Sequence, residues 1–199
     1  MEKILVTGFT PFGTNTINPS KEIVESIDTS KFSKVVIKAI IPTVWGEAQS
    51  ILFELMDKHK PDKVVLIGLA SGDDSIRIER IGINVCGAIK DNLGKFNNNT
   101  EKETKIIEDG EDGLFSTFDY EKIYKELREA DIKVRMSFSA GQYLCNYVLY
   151  SALHKVKKDN LKTQVGFIHV PDILKENEIS HGMSFETMKH AIDIIIENC

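Results

Sequence analysis

The chain has 199 residues, a length that suits one domain and excludes a large multidomain assembly. It is 42% hydrophobic and 28% charged, with 13 glycines and 5 prolines, which excludes collagen and argues against a disordered or coiled-coil chain. With 25 Lys plus Arg and 30 Asp plus Glu, its net charge of −5 lacks the cationic excess that non-specific nucleic-acid binding requires.

Strand-like and helix-like patterns alternate along the first part of the chain. A strand is predicted over residues 4–9, and Asn18 followed by Pro19 is typical of a helix cap and its first helical position. The next elements are predicted as a strand at 35–41, a helix at 46–59 and a strand at 64–70. The last of these is apolar throughout, which is typical of a strand that is buried on both faces.

The rest of the chain continues this alternation. A strand is predicted over 76–85, where the hydrophobic pattern changes phase between Glu79 and Arg80 and indicates a β-bulge. The polar segment at 91–112 predicts a long loop. The remaining elements are predicted as a helix at 121–130, strands at 132–138 and 165–170 with a helix at 142–156 between them, and a last helix capped by Ser184. The sequence therefore predicts an α/β fold with a mixed, largely parallel sheet, in one domain over residues 1–199.

The spacing of the cysteines and the length of the apolar runs indicate the cellular compartment. Its 3 cysteines include no CxxC pair, which argues against a disulfide scaffold or a zinc ribbon. No N-terminal signal peptide is visible, and no apolar run approaches the ~20 residues that span a bilayer. We therefore expect a cytoplasmic protein that uses no membrane.

Cys145 is a candidate nucleophile. It follows a predicted strand and a Ser-Ala-Gly turn, and it lies in the predicted first turn of a helix. The unpaired backbone N–H groups and the dipole of a helix start stabilise a thiolate, and they can also hold the oxyanion of a tetrahedral intermediate. The alternative is that Cys145 is a small buried hydrophobe, and position alone favours that alternative.

His169 and Glu79 are candidate partners of this thiol. His169 ends the strand at 165–170, where an imidazole can take a proton from a thiol and return it to a leaving amine. Glu79 lies at the predicted bulge, where a carboxylate can orient the imidazole. Taken singly, a core histidine and an ion pair of Glu79 with a neighbouring arginine are the simpler interpretations. The histidines show no metal-ligand spacing, so no metal site is predicted.

Phe9 and Phe12 lie in a loop that follows the first strand. The loop, GFTPFG at 8–13, has two glycines at the spacing of a phosphate loop, but Thr14 and Asn15 replace the Lys-Ser/Thr pair that binds phosphate. Two aromatic side chains there can hold a flat ring through their faces. The structural alternative is that both side chains fill the core.

Four motifs together resemble those of the pyroglutamyl peptidase type I (pyrrolidone-carboxylate peptidase) family of cysteine peptidases. The N-terminal signature is GFTPFG at 8–13 followed by NPS at 18–20. The glutamate, nucleophile and histidine motifs are IERIGIN at 78–84, SAGQYLCN at 139–146 and GFIHVP at 166–171. They occur in the family's order and spacing across nearly the whole chain.

The resemblance implies a cytoplasmic enzyme that removes an N-terminal pyroglutamyl residue from peptides, with no cofactor and no metal. It implies that Cys145 is the nucleophile, that His169 is the general base and acid, and that Glu79 orients His169. Phe9 and Phe12 would hold the lactam ring between them. The resemblance also implies a three-layer α/β/α fold and a homo-oligomer, either a tetramer or a dimer.

Two departures from the family pattern leave alternatives open. SGD at 71–73 stands where bacterial members often have Gly-Gly-Arg, and GAIKDN at 87–92 lacks the arginine of their Ala-Arg-Ile-Pro-Asp-Asn. One alternative is therefore a catalytically weak or inactive pyroglutamyl-binding homologue. Another is an α/β enzyme of a different class, such as a nucleoside phosphorylase, which would need a basic or glycine-rich phosphate pocket.

Overall fold

The computed structural model describes residues 1–174 and 181–199. The strands in these residues are β1 (Lys3–Phe9), β2 (Val35–Ile41), β3 (Lys63–Leu69), β4 (Ile76–Glu79), β5 (Ile81–Ile83), β6 (Gly113–Phe115), β7 (Val134–Ser137) and β8 (Gln164–Val170). The α-helices are α1 (Pro19–Ser26), α2 (Glu47–His59), α3 (Tyr120–Glu129), α4 (Leu144–Lys158) and α5 (Phe185–Asn198).

Both predicted helix caps are confirmed. The Asn18 side chain accepts a hydrogen bond from the backbone N–H of Ser20, at 3.1 Å, and Pro19 is the first residue of α1. Ser184 Oγ accepts a hydrogen bond from the backbone N–H of Thr187, at 3.1 Å, at the start of α5. In each case a side-chain oxygen satisfies a donor that the helix leaves unpaired.

A six-stranded sheet, in the order β2-β1-β3-β8-β4-β7, forms the middle of the molecule. Strands β2, β1, β3 and β8 are parallel to one another, whereas β4 pairs with β8 in the antiparallel direction and with β7 in parallel. The predicted α/β fold with a mixed, largely parallel sheet is confirmed.

Helices cover both faces of this sheet, because successive residues of its central strands contribute to opposite cores. Ile4 of β1 belongs to the core beneath α1, α3 and α5. The next residue, Leu5, belongs to the core beneath α2 and α4. This is the three-layer α/β/α arrangement that the resemblance implied.

The predicted β-bulge between Glu79 and Arg80 is wrong. Strand β4 ends at Glu79, and the chain passes through Arg80 into β5, which belongs to a separate two-stranded sheet with β6. The backbone N–H of Arg80 still bonds to the carbonyl of Ser137, at 2.8 Å, while its own carbonyl accepts from Ser116, at 2.9 Å. The phase change in the sequence therefore marks a change of sheet and not an extra residue within one strand.

The polar segment at 91–112 is bonded to the chain that follows β5, both by backbone pairing of Cys86 with Thr104 and by the side chain of Asn84. Asn84 Nδ2 donates to the carbonyl of Ile107 at 2.7 Å, and its Oδ1 accepts from the backbone N–H groups of Ile106 and Ile107, both at 2.9 Å. A short 3₁₀ turn at Asn97–Asn99 lies within the segment. The segment thus packs on the domain through backbone hydrogen bonds to a buried amide.

Candidate active site

A cavity of about 410 Å³ opens where the parallel strands β1, β3 and β8 end, on the face of the sheet that α2 and α4 cover. Four of the five residues predicted from the sequence line it: Phe9, Phe12, Cys145 and His169. The fifth, Glu79, contacts His169. The fold therefore brings together side chains that are up to 160 positions apart in the chain, from the first strand to the last.

His169 and Glu79 form a buried pair. Nδ1 of His169 lies 2.7 Å from Oε1 of Glu79, and the two residues are only 4% and 0% exposed. A carboxylate held this close fixes the plane of the imidazole ring and keeps the proton on Nδ1. Nε2 is then the nitrogen left to act on the thiol of Cys145, which lines the same cavity as His169.

Glu79 reaches His169 diagonally across two strands. His169 lies near the C-terminal end of β8, but β4 is antiparallel to β8, so the C-terminal end of β4, where Glu79 lies, points away from that edge. Glu79 is the register partner of Phe167, two residues before His169. Residues at such diagonal positions share a face of the sheet and are within reach of long side chains, which is why the pair still forms.

Cys145 occupies its position because a neighbouring residue has no side chain. Gly68 of β3 is the register partner of His169, and a Cβ atom added to it would lie 2.9 Å from Cys145 Sγ and 2.7 Å from Phe167 Cζ. Any larger residue would therefore displace the sulfur or the aromatic ring. Gly68 is a structural part of the site that the sequence analysis missed.

The start of α4 is anchored by a second residue that the sequence analysis missed. Asn146 is completely buried; its Nδ2 donates to the carbonyls of Ile83 and Val85, and its Oδ1 accepts from the N–H of Ile83, all at 2.9–3.0 Å. No side chain of the described residues caps α4 at Tyr143. The backbone N–H groups of the first turn, next to Cys145, thus remain able to bind an anion.

The surroundings of His169 and of the three cysteines distinguish Cys145 from the other two thiols. Burial alone lowers the pKa of His169, but a thiolate at Cys145 and the Glu79 carboxylate raise it above its usual value. Burial raises the pKa of the Cys86 thiol to about 12 and that of Cys199 to about 11. Only Cys145, which is partly exposed, combines access to the cavity with a basic partner.

The two phenylalanines line the cavity in different ways. Phe9 is 3% exposed and is part of the core beneath α2 and α4, whereas Phe12 is half-buried and packs on Tyr143, with ring centroids 6.3 Å apart. Tyr143 is fixed in turn by an edge-on contact with Trp45, at 5.2 Å. Phe9 therefore combines the core role and the cavity role that the sequence analysis treated as alternatives.

Asn18 and Arg77 also line the cavity. From the sequence, Asn18 is predicted only as a helix cap, and Arg77 is one of the two arginines close enough in sequence to pair with Glu79. The sequence pattern does indicate that Arg77 lies near the site. Residues two apart in a strand lie on the same face, and Arg77 is two residues before Glu79. For Asn18 the pattern gave no such signal, because the capping interaction fully accounts for the residue type.

In residues 1–174 and 181–199, no group of three or more His, Cys, Asp and Glu side chains is placed to hold a metal ion. None of the helices found there has both the length and the apolar composition that crossing a membrane requires.

Comparison with known proteins gives consistent results. The family model described as pyroglutamyl peptidase matches residues 2–199. The chain is 37% identical over 204 residues to a pyrrolidone-carboxylate peptidase of Pyrococcus furiosus, covering 98% of this chain and 96% of that protein. A pyrrolidone-carboxylate peptidase of Thermosipho africanus is 41% identical over 170 residues, covering 85% and 81% of the two chains.

Solved structures agree with the sequence matches. A crystal structure of pyrrolidone carboxyl peptidase from Pyrococcus furiosus superposes with a TM-score of 0.90 at 36% sequence identity. The match covers 98% of this chain and 96% of that one. The similarity thus extends over the whole fold, including every strand that contributes to the cavity.

Proposed function

The chain belongs to the pyroglutamyl peptidase family, and we propose that Cys145, His169 and Glu79 carry out the reaction of this family. The enzyme is a cysteine-type hydrolase that removes an N-terminal pyroglutamyl residue from a peptide. The single observation that supports the residue assignment is that Cys145 and His169 line one cavity, while the buried Glu79 carboxylate lies 2.7 Å from Nδ1 of His169.

In the first half of the reaction His169 removes the proton of the Cys145 thiol through Nε2. The thiolate attacks the pyroglutamyl carbonyl carbon, a C–S bond forms, and the carbonyl oxygen becomes an oxyanion. The backbone N–H groups at the start of α4 stabilise that charge. The intermediate then collapses, the C–N bond breaks, and the imidazolium gives its proton to the leaving amine.

In the second half, water hydrolyses the thioester. His169 takes a proton from the water as it attacks, and the thiolate leaves as the C–S bond breaks and recovers that proton from the imidazolium. Glu79 touches no reacting atom in this scheme. It is a positioning residue, which orients the ring and stabilises its positive charge in both halves.

The substrate ring is flat, uncharged and has no free amine. An aromatic wall on the cavity fits such a ring, and Phe12 offers a face that is not part of the core. We propose that Phe9 and Phe12 contact the lactam ring, with Phe9 fixed by the core and Phe12 by Tyr143.

Replacing Phe12 with alanine tests this contact. We expect kcat/KM for a pyroglutamyl amide to fall roughly tenfold, mainly through KM, because one face of the ring loses its aromatic neighbour. The measurement is steady-state release of a coumarin amine from the pyroglutamyl amide. Phe12→Ala is preferred to Phe9→Ala, because removing the buried Phe9 ring would also cost stability.

A matched control is available on α2. Phe53 is also half-buried but lies outside the cavity, so Phe53→Ala removes the same ring and should leave kcat/KM unchanged. Equal kcat/KM for Phe12→Ala and the unmodified enzyme would show that Phe12 does not contact the ring.

One assay separates the enzyme from the inactive homologue that the sequence left open. The purified protein is given the pyroglutamyl coumarin amide, with and without prior treatment by iodoacetamide. We expect release that iodoacetamide abolishes; a protein that binds pyroglutamate but releases no coumarin would be the inactive homologue. Family membership removes the reason to consider a nucleoside phosphorylase.

We further propose that residues 1–199 act as a single peptidase domain in a cytoplasmic homo-oligomer, a tetramer or a dimer. Two exposed aromatic side chains support an interface between copies. Phe115 and Phe138 are 59% and 64% exposed, and both lie next to Arg80 or its backbone partner Ser137. Equilibrium sedimentation of the full chain and of a Phe115→Ser, Phe138→Ser variant tests the proposal.

A further inference from the structure

Arg77 is placed at the reaction centre. Among the described residues that line the cavity, it alone has a permanent charge. It is the direct register partner of His169 across β4 and β8, so the two side chains project from the same face of the sheet. The Arg77 side chain is 25% exposed, which leaves its charge only partly screened by solvent.

A buried carboxylate holds Arg77 in place. Nε of Arg77 donates to Oδ2 of Asp73, and Nη2 of Arg135 donates to the same oxygen at 2.7 Å. Burial by itself raises the pKa of Asp73, but hydrogen bonds from Arg135, the backbone N–H of Asp74 and Arg77 hold it well below its usual range. Two cations thus share one anion, and this group of three side chains has a net charge of +1.

The contact with Asp73 does not use all the donors of Arg77. A guanidinium has five N–H donors in a fixed fork, and four of them are on the two Nη atoms. Because the ion pair runs through Nε, it fixes the side chain without using those four. Such a fork matches the two oxygens of a carboxylate.

The order of strands places Arg77 on one side of the scissile bond. Phe9 ends β1, Gly68 and the Cys145 sulfur lie over β3, His169 is on the next strand, β8, and Arg77 is on β4 beyond it. Neighbouring strands are roughly 4.8 Å apart. With the lactam ring near β1 and its carbonyl carbon at Cys145, the released part of the substrate extends toward β4.

We propose that Arg77 is a specificity-determining residue that binds a carboxylate of the leaving peptide, immediately beyond the scissile bond. The inference rests on the proposed function, because it takes the position of the ring and of the attacked carbon from it. The carboxylate has two sources: the side chain of an acidic residue that follows pyroglutamate, or the C-terminus of a pyroglutamyl dipeptide.

Three substrates distinguish these sources: pyroglutamyl-glutamine amide, pyroglutamyl-glutamate amide and pyroglutamyl-glutamine with a free C-terminus. We expect kcat/KM for one or both of the acidic substrates to exceed that of the neutral amide roughly tenfold, the effect of a hydrogen-bonded charge in a partly desolvated site. The preference should shrink in 0.5 M salt, a concentration at which charges are screened beyond roughly 4 Å.

Two variants assign the preference to Arg77. Arg77→Gln should bring the ratio of acidic to neutral kcat/KM close to one, and Arg77→Lys should keep part of it. Arg135→Gln is the matched control. It removes the other cation that contacts Asp73, and because Arg135 lies outside the cavity the variant should keep the preference for acidic substrates. A wild-type ratio near one for both acidic substrates, or the same ratio in Arg77→Gln as in wild type, would overturn the proposal.

Binding to a non-hydrolysing protein separates this inference from the proposed reaction. Calorimetry with Cys145→Ala should show tighter binding of an acidic substrate than of the neutral amide, and the difference should vanish in Cys145→Ala, Arg77→Gln. If wild type released no pyroglutamate while Cys145→Ala kept this difference, the reaction would be wrong and the role of Arg77 would stand. Equal affinities in Cys145→Ala would overturn the role of Arg77 even if hydrolysis were observed.

Discussion

Replacing Cys145 with alanine is expected to lower kcat for pyroglutamyl amide hydrolysis by roughly four to six orders of magnitude. The loss is this large because the thiolate forms the only covalent bond between enzyme and substrate. Release of coumarin under conditions that detect about one turnover per day measures it, because a typical kcat of roughly 10 per second falls to about that rate after a loss of six orders of magnitude.

The other two cysteines give the control. Cys86 and Cys199 are buried at 1% and 6% exposure and lie outside the cavity, so a Cys86→Ala, Cys199→Ala variant should keep the wild-type kcat. Alanine is chosen over serine because a hydroxyl in these apolar surroundings would lack a partner. Substantial hydrolysis by Cys145→Ala would exclude Cys145 as the nucleophile.

The second large effect is expected at the His169–Glu79 pair. His169→Ala should lower kcat by roughly three to four orders of magnitude, since proton transfer to and from sulfur, water and amine is lost. Glu79→Gln should lower it less, because the amide can still accept a hydrogen bond from Nδ1 while the negative charge is absent. Steady-state kinetics with the coumarin amide compares the two variants.

A pH profile separates the charge of Glu79 from a merely structural role. The carboxylate contributes to the raised pKa of His169, so the imidazolium that protonates the leaving amine persists below that raised pKa and is lost as pH rises through it. Without the carboxylate this loss occurs at lower pH. The alkaline limb of the kcat/KM profile should therefore move to lower pH in Glu79→Gln; an unmoved limb would contradict the assignment.

Stability must be measured beside these kinetics. His169→Ala leaves the completely buried Glu79 carboxylate without the partner it has at 2.7 Å, an arrangement that destabilises a protein strongly. His169→Asn avoids this difficulty, because its amide N–H can donate to Glu79 but cannot transfer a proton. Wild-type turnover in His169→Asn would show that His169 is not the general base.

The elements that local sequence determines were predictable. Asn18 and Ser184 identify the starts of α1 and α5 because a cap depends on one side chain and the next few backbone groups. Strand β2, predicted at 35–41, has those bounds for a similar reason: Ile41 is followed by a proline, which ends a strand.

What depends on distant parts of the chain was not predictable from the pattern. The phase change after Glu79 was visible, but whether it means a bulge or a move to another sheet depends on β6, which lies more than thirty residues later. Likewise, the direction of β4 relative to β8 has no signature in either strand. Gly68 could not be recognised either, because its lack of a side chain matters only once Cys145 packs against it.

Because the three thiols are unequally buried, the rates at which they react with a thiol reagent measure both site access and unfolding. A chromogenic disulfide reagent should count one reactive cysteine per native chain and three per denatured chain, because Cys86 and Cys199 are accessible only after the core opens. A ligand bound in the cavity slows the fast reaction of Cys145 with the reagent. Stabilisation of the fold instead slows the reaction of Cys86 and Cys199. One absorbance trace thus separates a change in ligand binding from a change in the opening equilibrium, without any engineered cysteine.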